Sequence, residues 1–328
     1  METVQEIGEH RLLKLLQQFC PQEIIGDDGA VVAVKDNQSV VITTDVLVEG
    51  VHFSDSTTSA EDVGWRSTAA NLSDLAAMGA TPLGITVGLS LPGEVPVSWV
   101  KKLYEGISSC LREYETVILG GDICRSSVTT ISITALGQVS PQQVIRRHTA
   151  KPGDVIMVTG FHGGSKAGLE LLLNPELGQQ LTEEEKKELI AFHQRPQPRL
   201  DILPWLQFPV TGMDSSDGLA DAVIQICNCS QVGAKLDRNL ITYPQTLLKL
   251  VSPQQALNCA LYGGEDFELV LCLPKQKAEE LLSKLDAGAA IIGEITDRKE
   301  VELRDSNEVY PSEILSISQG FQHFSNMR

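Results

Sequence analysis

No stretch of about 18 uninterrupted apolar residues occurs in the chain, so no membrane-spanning helix is expected. The N-terminus lacks a basic segment followed by an apolar one, which excludes a recognisable secretion signal. It reads instead as an amphipathic helix with Leu12, Leu13, Leu16 and Phe19 on one face. The seven cysteines show no metal-ligand spacing, and Cys227 and Cys229 stand too close for a C-x2-C zinc pair. Their odd number argues against a disulfide framework and fits a reducing cytoplasm. Basic residues are also short. Lys and Arg total 26 against 43 Asp and Glu, a net charge of −17, which excludes general binding to nucleic-acid backbones. Fixed-period repeats, low-complexity segments and a D-x-D-x-D-G calcium loop are absent as well.

What is present is 328 residues, enough for roughly two domains. Before residue 140, β-like runs stand at 30–34, 39–44, 85–91, 117–119 and 129–136, the last alternating polar and apolar residues as a half-buried strand does. Two helical patterns lie among them. One runs over 61–78, where Ser59 with Asp62 can cap the start and Gly79 followed by Pro82 can end it. The other runs over 97–114, with Val100, Leu103, Tyr104, Ile107 and Leu111 at helical spacing. The polar break RRHTAKPGD at 146–154 is the expected domain boundary, giving domains 1–148 and 149–328. Beyond it, strands at 155–159, 210–212, 234–236, 268–273 and 291–295 alternate with helices near 166–173, 183–194, 218–229 and 276–286, the pattern of an α/β domain.

The informative acids sit in short glycine-rich loops at the ends of apolar runs: GDDGAVV (26–32), TTDVLVEGVHF (43–53), NLSDLAAMGA (71–80), LGGDICRS (119–126), DSSDGLAD (214–221) and YGGEDFEL (262–269). Glycine permits positive φ and close backbone approach. Carboxylates and hydroxyls are hard oxygen ligands suited to Mg²⁺, which takes a few carboxylates and completes its octahedron with water and phosphate oxygens. Taken singly, each Asp-Gly pair reads as an ordinary turn. Asp74 could face solvent, yet its surroundings, AANLSDLAAMGA, are small and apolar, and a buried carboxylate needs a partner. Six such loops together would repel one another unless cations resolve the charge.

The set and order of these motifs resemble the thiamine-monophosphate kinase family, within the superfamily of aminoimidazole-ribonucleotide synthetase and selenophosphate synthetase. The resemblance runs from GDDGA to GFQHF near the C-terminus and is carried most specifically by TTDVLVEGVHF, NLSDLAAMGA, LGGD, KPGDVIMVTG, SDGL and GGEDFEL. It implies an α/β (α+β), two-domain PurM-like fold, whose N-terminal domain binds ATP and magnesium and contributes to a dimer-spanning β-barrel. It also implies a cleft between the domains where ATP and the phosphorylated substrate meet. The implied magnesium ligands are Asp28, Thr43, Thr44, Asp45, Asp74, Asp122, Asp214 and Asp217. Tyr104, Gly121, Asp122, Arg147 and Ser216 match nucleotide-contacting positions, and His52, Glu265 and Phe321 match substrate-contacting ones. The implied activity is transfer of the ATP γ-phosphoryl group to thiamine monophosphate, with several Mg²⁺ ions, in a cytoplasmic homodimer without membrane or nucleic-acid partners. No catalytic acid, base or nucleophile is named, because a phosphate acceptor is already anionic.

Bland readings stand beside these. Tyr104 occupies an apolar stripe and suits a core position equally well. His52 could end a strand, Arg147 could be a boundary charge, and Phe321 could plug the core. The chain departs from the family pattern at Ser215, where an apolar residue is usual, at Ile123 and Cys124, where hydroxyl residues are common, and in GFHGGSKAG, where the turn lacks its usual acid. That last turn also tempts a P-loop reading, but its final glycine and the magnesium-binding hydroxyl are missing. Other superfamily synthetases and a non-catalytic nucleotide- or metal-binding protein remain alternatives. Against selenophosphate synthesis, residues 1–25 offer only Cys20 and no glycine-rich loop with lysine.

Overall fold

The computed structural model describes residues 2–22, 30 and 32–320. Asp28 and Phe321 lie outside them. The chain separates into two compact units, one of residues 1–75 and 80–141, the other of 76–79 and 142–328.

The first unit opens with α1 (Val4–Ile7) and α2 (Glu9–Leu16). The single N-terminal helix expected from the sequence is interrupted at Gly8, whose φ of 73° lies in the left-handed region. The apolar face survives the break, with Leu12 and Leu16 buried. Next come β1 (Ser39–Val48), α3 (Ala60–Ala77), β2 (Thr81–Leu91), α4 (Val97–Glu113), β3 (Ile118–Arg125) and β4 (Thr130–Val139). The strand expected at 30–34 does not form among its described residues. Ser59 caps α3 as anticipated, its hydroxyl accepting from Asp62 N at 3.2 Å.

The four strands form an open sheet in the order β1-β4-β2-β3, with β2 parallel to β3 and the other pairs antiparallel. Ile131, Ile133 and Ala135 of β4 and Ile85, Val87 and Leu89 of β2 are buried, which gives the period-two core face expected of a half-covered sheet. The helices approach very closely. A Cβ at Gly64 of α3 would stand 2.0 Å from Leu103 O, and one at Gly106 of α4 would stand 1.8 Å from Glu61 O. No side chain fits either position, so these glycines set the helix packing. At the sheet edge, β1 exposes Val40, Ile42 and Val46 on alternate positions, at 47%, 65% and 47%.

The second unit contains β5 (Val155–Val158), α5 (Gly164–Leu173), α6 (Glu183–Gln194), β6 (Thr211–Asp214), α7 (Leu219–Ser230), β7 (Gly233–Asp237), α8 (Pro253–Tyr262), β8 (Leu269–Leu273), α9 (Lys275–Leu282), β9 (Ala290–Thr296), β10 (Val301–Arg304) and β11 (Glu313–Ile314). Its mixed sheet runs β11-β10-β7-β9-β5-β8-β6. All five residues of β8 are buried. Val270 and Cys272 join the core that includes α7 and α8, while Leu269, Leu271 and Leu273 join the core that includes α9. A strand covered on both faces reads as a continuous apolar run, which is how LVLCL stands in the sequence. All seven cysteines are free thiols. Among the described residues no helix is long and apolar enough to cross a membrane.

Candidate functional site

In the first unit the sequence-predicted residues lie on β1 and α3, which are in contact, and on β3 at the opposite edge of the sheet. Thr43, Thr44 and Asp45 are consecutive on β1, so their side chains alternate between the sheet's two faces. Thr43 donates its hydroxyl hydrogen to the carboxylate of Asp74, which lies on α3 between buried neighbours. Asp45 N donates to Asn71 Oδ1 at 3.2 Å, one turn before Asp74 on the same helix. Asn71 is itself buried and donates to Ser67 O at 3.0 Å. Thr44 sits opposite Thr134, with 2.8 Å between their hydroxyl oxygens. The carboxylate and hydroxyl donors of TTD and NLSD, well separated in sequence, are thus joined through Thr43 and Asp74.

Gly121 and Asp122 lie on β3, where they pair with Val87 and Gly88 of β2. A Cβ on Gly121 would come within 2.1 Å of Val87 O, so only glycine holds this strand contact. Asp122 is exposed. His52 follows β1 and accepts from Val48 N through Nδ1 at 3.0 Å, while its own N–H donates to Val48 O at 2.9 Å. Tyr104 is 4% exposed, with its ring 5.5 Å from that of Phe19. Burial pushes its hydroxyl pKa well up.

In the second unit, β6 runs out at Asp214 into the loop DSSDG, and Gly218, at φ 106°, leads into α7. Ser216 donates to Asp214 Oδ1 at 3.1 Å, and Asp217 is exposed. The loop GGEDF closes on it, with Glu265 N donating to Ser216 O at 2.7 Å. Gly264 has φ 68°, and a Cβ there would stand 2.8 Å from the same oxygen. Glu265 and Phe267 hold left-handed backbone at φ 59° and 53° without being glycine. Such residues cost on the order of 1 kcal/mol each and concentrate where a loop must aim a side chain. The predicted residues Asp214, Ser216, Asp217 and Glu265 are therefore brought together on two adjoining loops. Arg147 stands apart from them, its Nη1 donating to Gln225 Oε1 on α7 at 2.7 Å.

Sequence reasoning missed the buried polar residues beneath these loops. Asp266 accepts from Gly163 N at 2.7 Å and Ser165 N at 2.9 Å, and so occupies the anion position at the start of α5. Burial pushes its pKa up to about 7 against the pull of those two N–H groups, with Glu268 and Glu265 adding to the rise. The turn that tempted a P-loop reading is accordingly filled by the protein's own carboxylate. Glu268, its pKa raised by burial despite Arg199, accepts from Thr159 Oγ1 at 2.5 Å and Arg199 Nη1 at 2.8 Å. His193 is buried, with Nδ1 3.3 Å from Ser165 Oγ and 3.9 Å from Glu265 Oε2. His162 is held neutral by burial, its pKa pushed down to about 4. The sequence signalled this layer through the acid-rich run GGEDFEL, which does not say which acid faces inward, and through the unusual Ser215 and GFHGGSKAG, which do not say that they meet.

The donor set suits magnesium in kind, being carboxylate and hydroxyl oxygen throughout. Among the described residues no group of three or more His, Cys, Asp and Glu side chains is placed to hold a metal ion by itself.

Comparison with known proteins bears directly on these loops. Residues 26–139 match the family model of the AIR synthase related protein, N-terminal domain, and residues 151–306 match that of its C-terminal domain. The chain is 49% identical over 331 residues to the thiamine-monophosphate kinase of Synechococcus elongatus, covering 98% of each chain. The crystal structure of thiamine-monophosphate kinase from Stenotrophomonas maltophilia superposes with a TM-score of 0.79 at 33% identity, over 90% of this chain and 94% of that one. A structure of AaThiL complexed with AMPPCP and TMP superposes with a TM-score of 0.75 at 29% identity, over 96% and 99%.

Proposed function

The chain belongs to the thiamine-monophosphate kinase family of the AIR synthase related proteins and is a kinase, and on that premise we propose that it transfers the γ-phosphoryl group of ATP directly to the phosphate of thiamine monophosphate, giving thiamine diphosphate and ADP. The observation that carries this reading is the 49% identity over 331 residues, covering 98% of both chains.

Thr43, Thr44, Asp45, Asp74 and Asp122 of the first unit, with Asp214 and Asp217 of the second, are the proposed magnesium ligands. Magnesium, when bound, neutralises charge on the phosphates and so lowers the repulsion between two polyanions. The chain's own residues bind and orient. The Thr43–Asp74 hydrogen bond ties the strand donors to the helix donor. Gly121 offers backbone where no side chain fits. Arg147 supplies a fixed positive charge and Ser216 a hydroxyl for phosphate oxygens, with Tyr104 as the proposed adenine neighbour. His52 and Glu265 are the proposed contacts to the organic body of the substrate. A phosphate acceptor is anionic near neutral pH, so no general base is required.

A homodimer is part of the proposal. The exposed Val40, Ile42 and Val46 of β1 form an apolar face on an edge strand, and covering it with a second copy in a shared barrel would remove it from water. We place the functional domains at 1–148 and 149–328 and the enzyme in the cytoplasm, in keeping with its free thiols. The experiment is ADP release from ATP and Mg²⁺ with thiamine monophosphate, with free thiamine, and with neither. ADP release that ignores thiamine monophosphate would sink the proposal.

A further inference from the structure

Two of the departures from the family pattern, Ser215 and the turn GFHGGSKAG, meet in the second unit although 53 residues separate the partners. His162 of the turn places Nε2 3.0 Å from Ser215 Oγ, and both residues are fully buried. The other ring nitrogen, Nδ1, lies 3.2 Å from Gly160 O. A carbonyl oxygen only accepts, so in the neutral ring Nδ1 carries the hydrogen and Nε2 is the acceptor. Ser215 Oγ also donates toward Glu268 O at 3.1 Å, an oxygen that receives Ser215 N–H at 2.9 Å as well, so the hydroxyl hydrogen lies between that carbonyl and the imidazole. His162 is in turn anchored through its own N–H, which donates to Thr242 O at 3.0 Å.

Ser215 stands between the two groups that the loop presents. Ser215 is the fully buried residue between Asp214, the last residue of β6 and itself 3% exposed, and Ser216, the half-buried first residue of the turn. Asp214 and Ser216 share a hydrogen bond of 3.1 Å. We propose that the buried His162–Ser215 hydrogen bond is a positioning device that fixes the loop carrying Asp214, Ser216 and Asp217, and so sets how tightly that loop binds magnesium-complexed nucleotide phosphate. This rests on the reading of DSSDG as a ligand-bearing loop. It adds that the contact beneath the loop is a buried polar pair, so that loss of Ser215 strands the imidazole nitrogen and loss of His162 frees the hydroxyl from the ring.

The test is calorimetric binding of a non-hydrolysable ATP analogue to the full chain across a Mg²⁺ titration, with thermal unfolding measured in parallel. His162→Leu removes the ring that holds the Ser215 hydroxyl and leaves it Glu268 O alone, and Ser215→Ala leaves the buried imidazole nitrogen without its donor. Each single substitution is expected to weaken analogue binding about tenfold at limiting Mg²⁺. The double substitution His162→Leu with Ser215→Val removes both polar groups and is expected to bind within about threefold of the unsubstituted protein. Ser215→Ala is the mildest change and keeps the test open should His162→Leu fail to fold. Single variants with a lowered Tm but an affinity within about twofold of the starting value overturn the proposal and leave the pair purely structural. Asp214→Asn separates this from the parent reading. If it alone loses Mg²⁺-dependent binding, only the positioning role fails. If it and Asp217→Asn both bind normally, the loop carries no carboxylate ligand and both fail.

Discussion

Thr43 on β1 donates its hydroxyl hydrogen to the carboxylate of Asp74 on α3, 31 residues further along the chain. This bond joins two motifs that are separate in the sequence, and it holds a carboxylate oriented within a largely buried helix. Asp74→Asn and Asp45→Asn are expected to lower kcat by about 100-fold or more, since each removes charge at the proposed phosphate site. Thermal unfolding should remain cooperative in both. Steady-state kinetics at limiting Mg²⁺ decide the matter, and near-normal turnover would remove that residue from the ligand set.

Arg147 offers a second test. Its guanidinium is exposed and held by Gln225, so it can turn to a phosphate at little cost. Charge-assisted bonds to phosphate are worth about 1.5–3 kcal/mol, so Arg147→Ala should raise the Kd for Mg-ATP by about 10- to 150-fold. An unchanged Kd would make Arg147 an ordinary surface charge.

Glu265 has two possible duties, and kinetics separate them. Held in left-handed backbone beside Ser216, it can address the cationic ring of the substrate or help order the neighbouring acids. Glu265→Gln is expected to raise KM for thiamine monophosphate well above any change in KM for ATP. A shift in Mg²⁺ dependence with unaltered substrate discrimination would end the substrate-contact role.

Much of this framework was legible in the sequence, and the failures have physical causes. α6 runs over Glu183–Gln194 as the periodicity predicts, because Thr182 and Glu185 close a capping box at its start. β1 and β3 run longer than expected, since ladder hydrogen bonds carry the strand through polar TTDV and GGDICR. α8 went unnoticed because Pro253 reads as a loop residue, yet proline is accepted at the first helical position. β10, the short run VELR, gains its strand character by pairing with β7 and β11. At the site, the acids of the glycine-rich loops stood out through their glycines. The layer beneath them did not, because the partnership of Asp266 with Gly163 and Ser165, or of His162 with Ser215, exists only once the chain has folded.

That hidden layer has a pH signature. The Asp266 carboxyl, with an unfolded value of 3.8, titrates at about 7 in the folded protein, chiefly through burial. Its contribution to stability is therefore fully present below pH 3.8 and is lost as pH rises through about 7. Between these limits the folded state binds more protons than the unfolded one, a difference on the order of 4 kcal/mol. Asp266→Asn cannot ionise and should escape this loss, although it gives up one of the two bonds to the start of α5. Urea unfolding of both proteins at pH 5 and pH 8 should show the variant's deficit shrinking at the higher pH. A constant deficit would mean that Asp266 is ionised in the folded state throughout.

The most direct test of the central claim follows the product. Purified protein is given ATP, Mg²⁺ and thiamine monophosphate, and ADP and thiamine diphosphate are both quantified over time. The two should form in equal amounts, with neither produced when thiamine monophosphate is omitted or replaced by free thiamine. ADP formation without thiamine diphosphate, or at the same rate in the absence of thiamine monophosphate, would contradict the assignment.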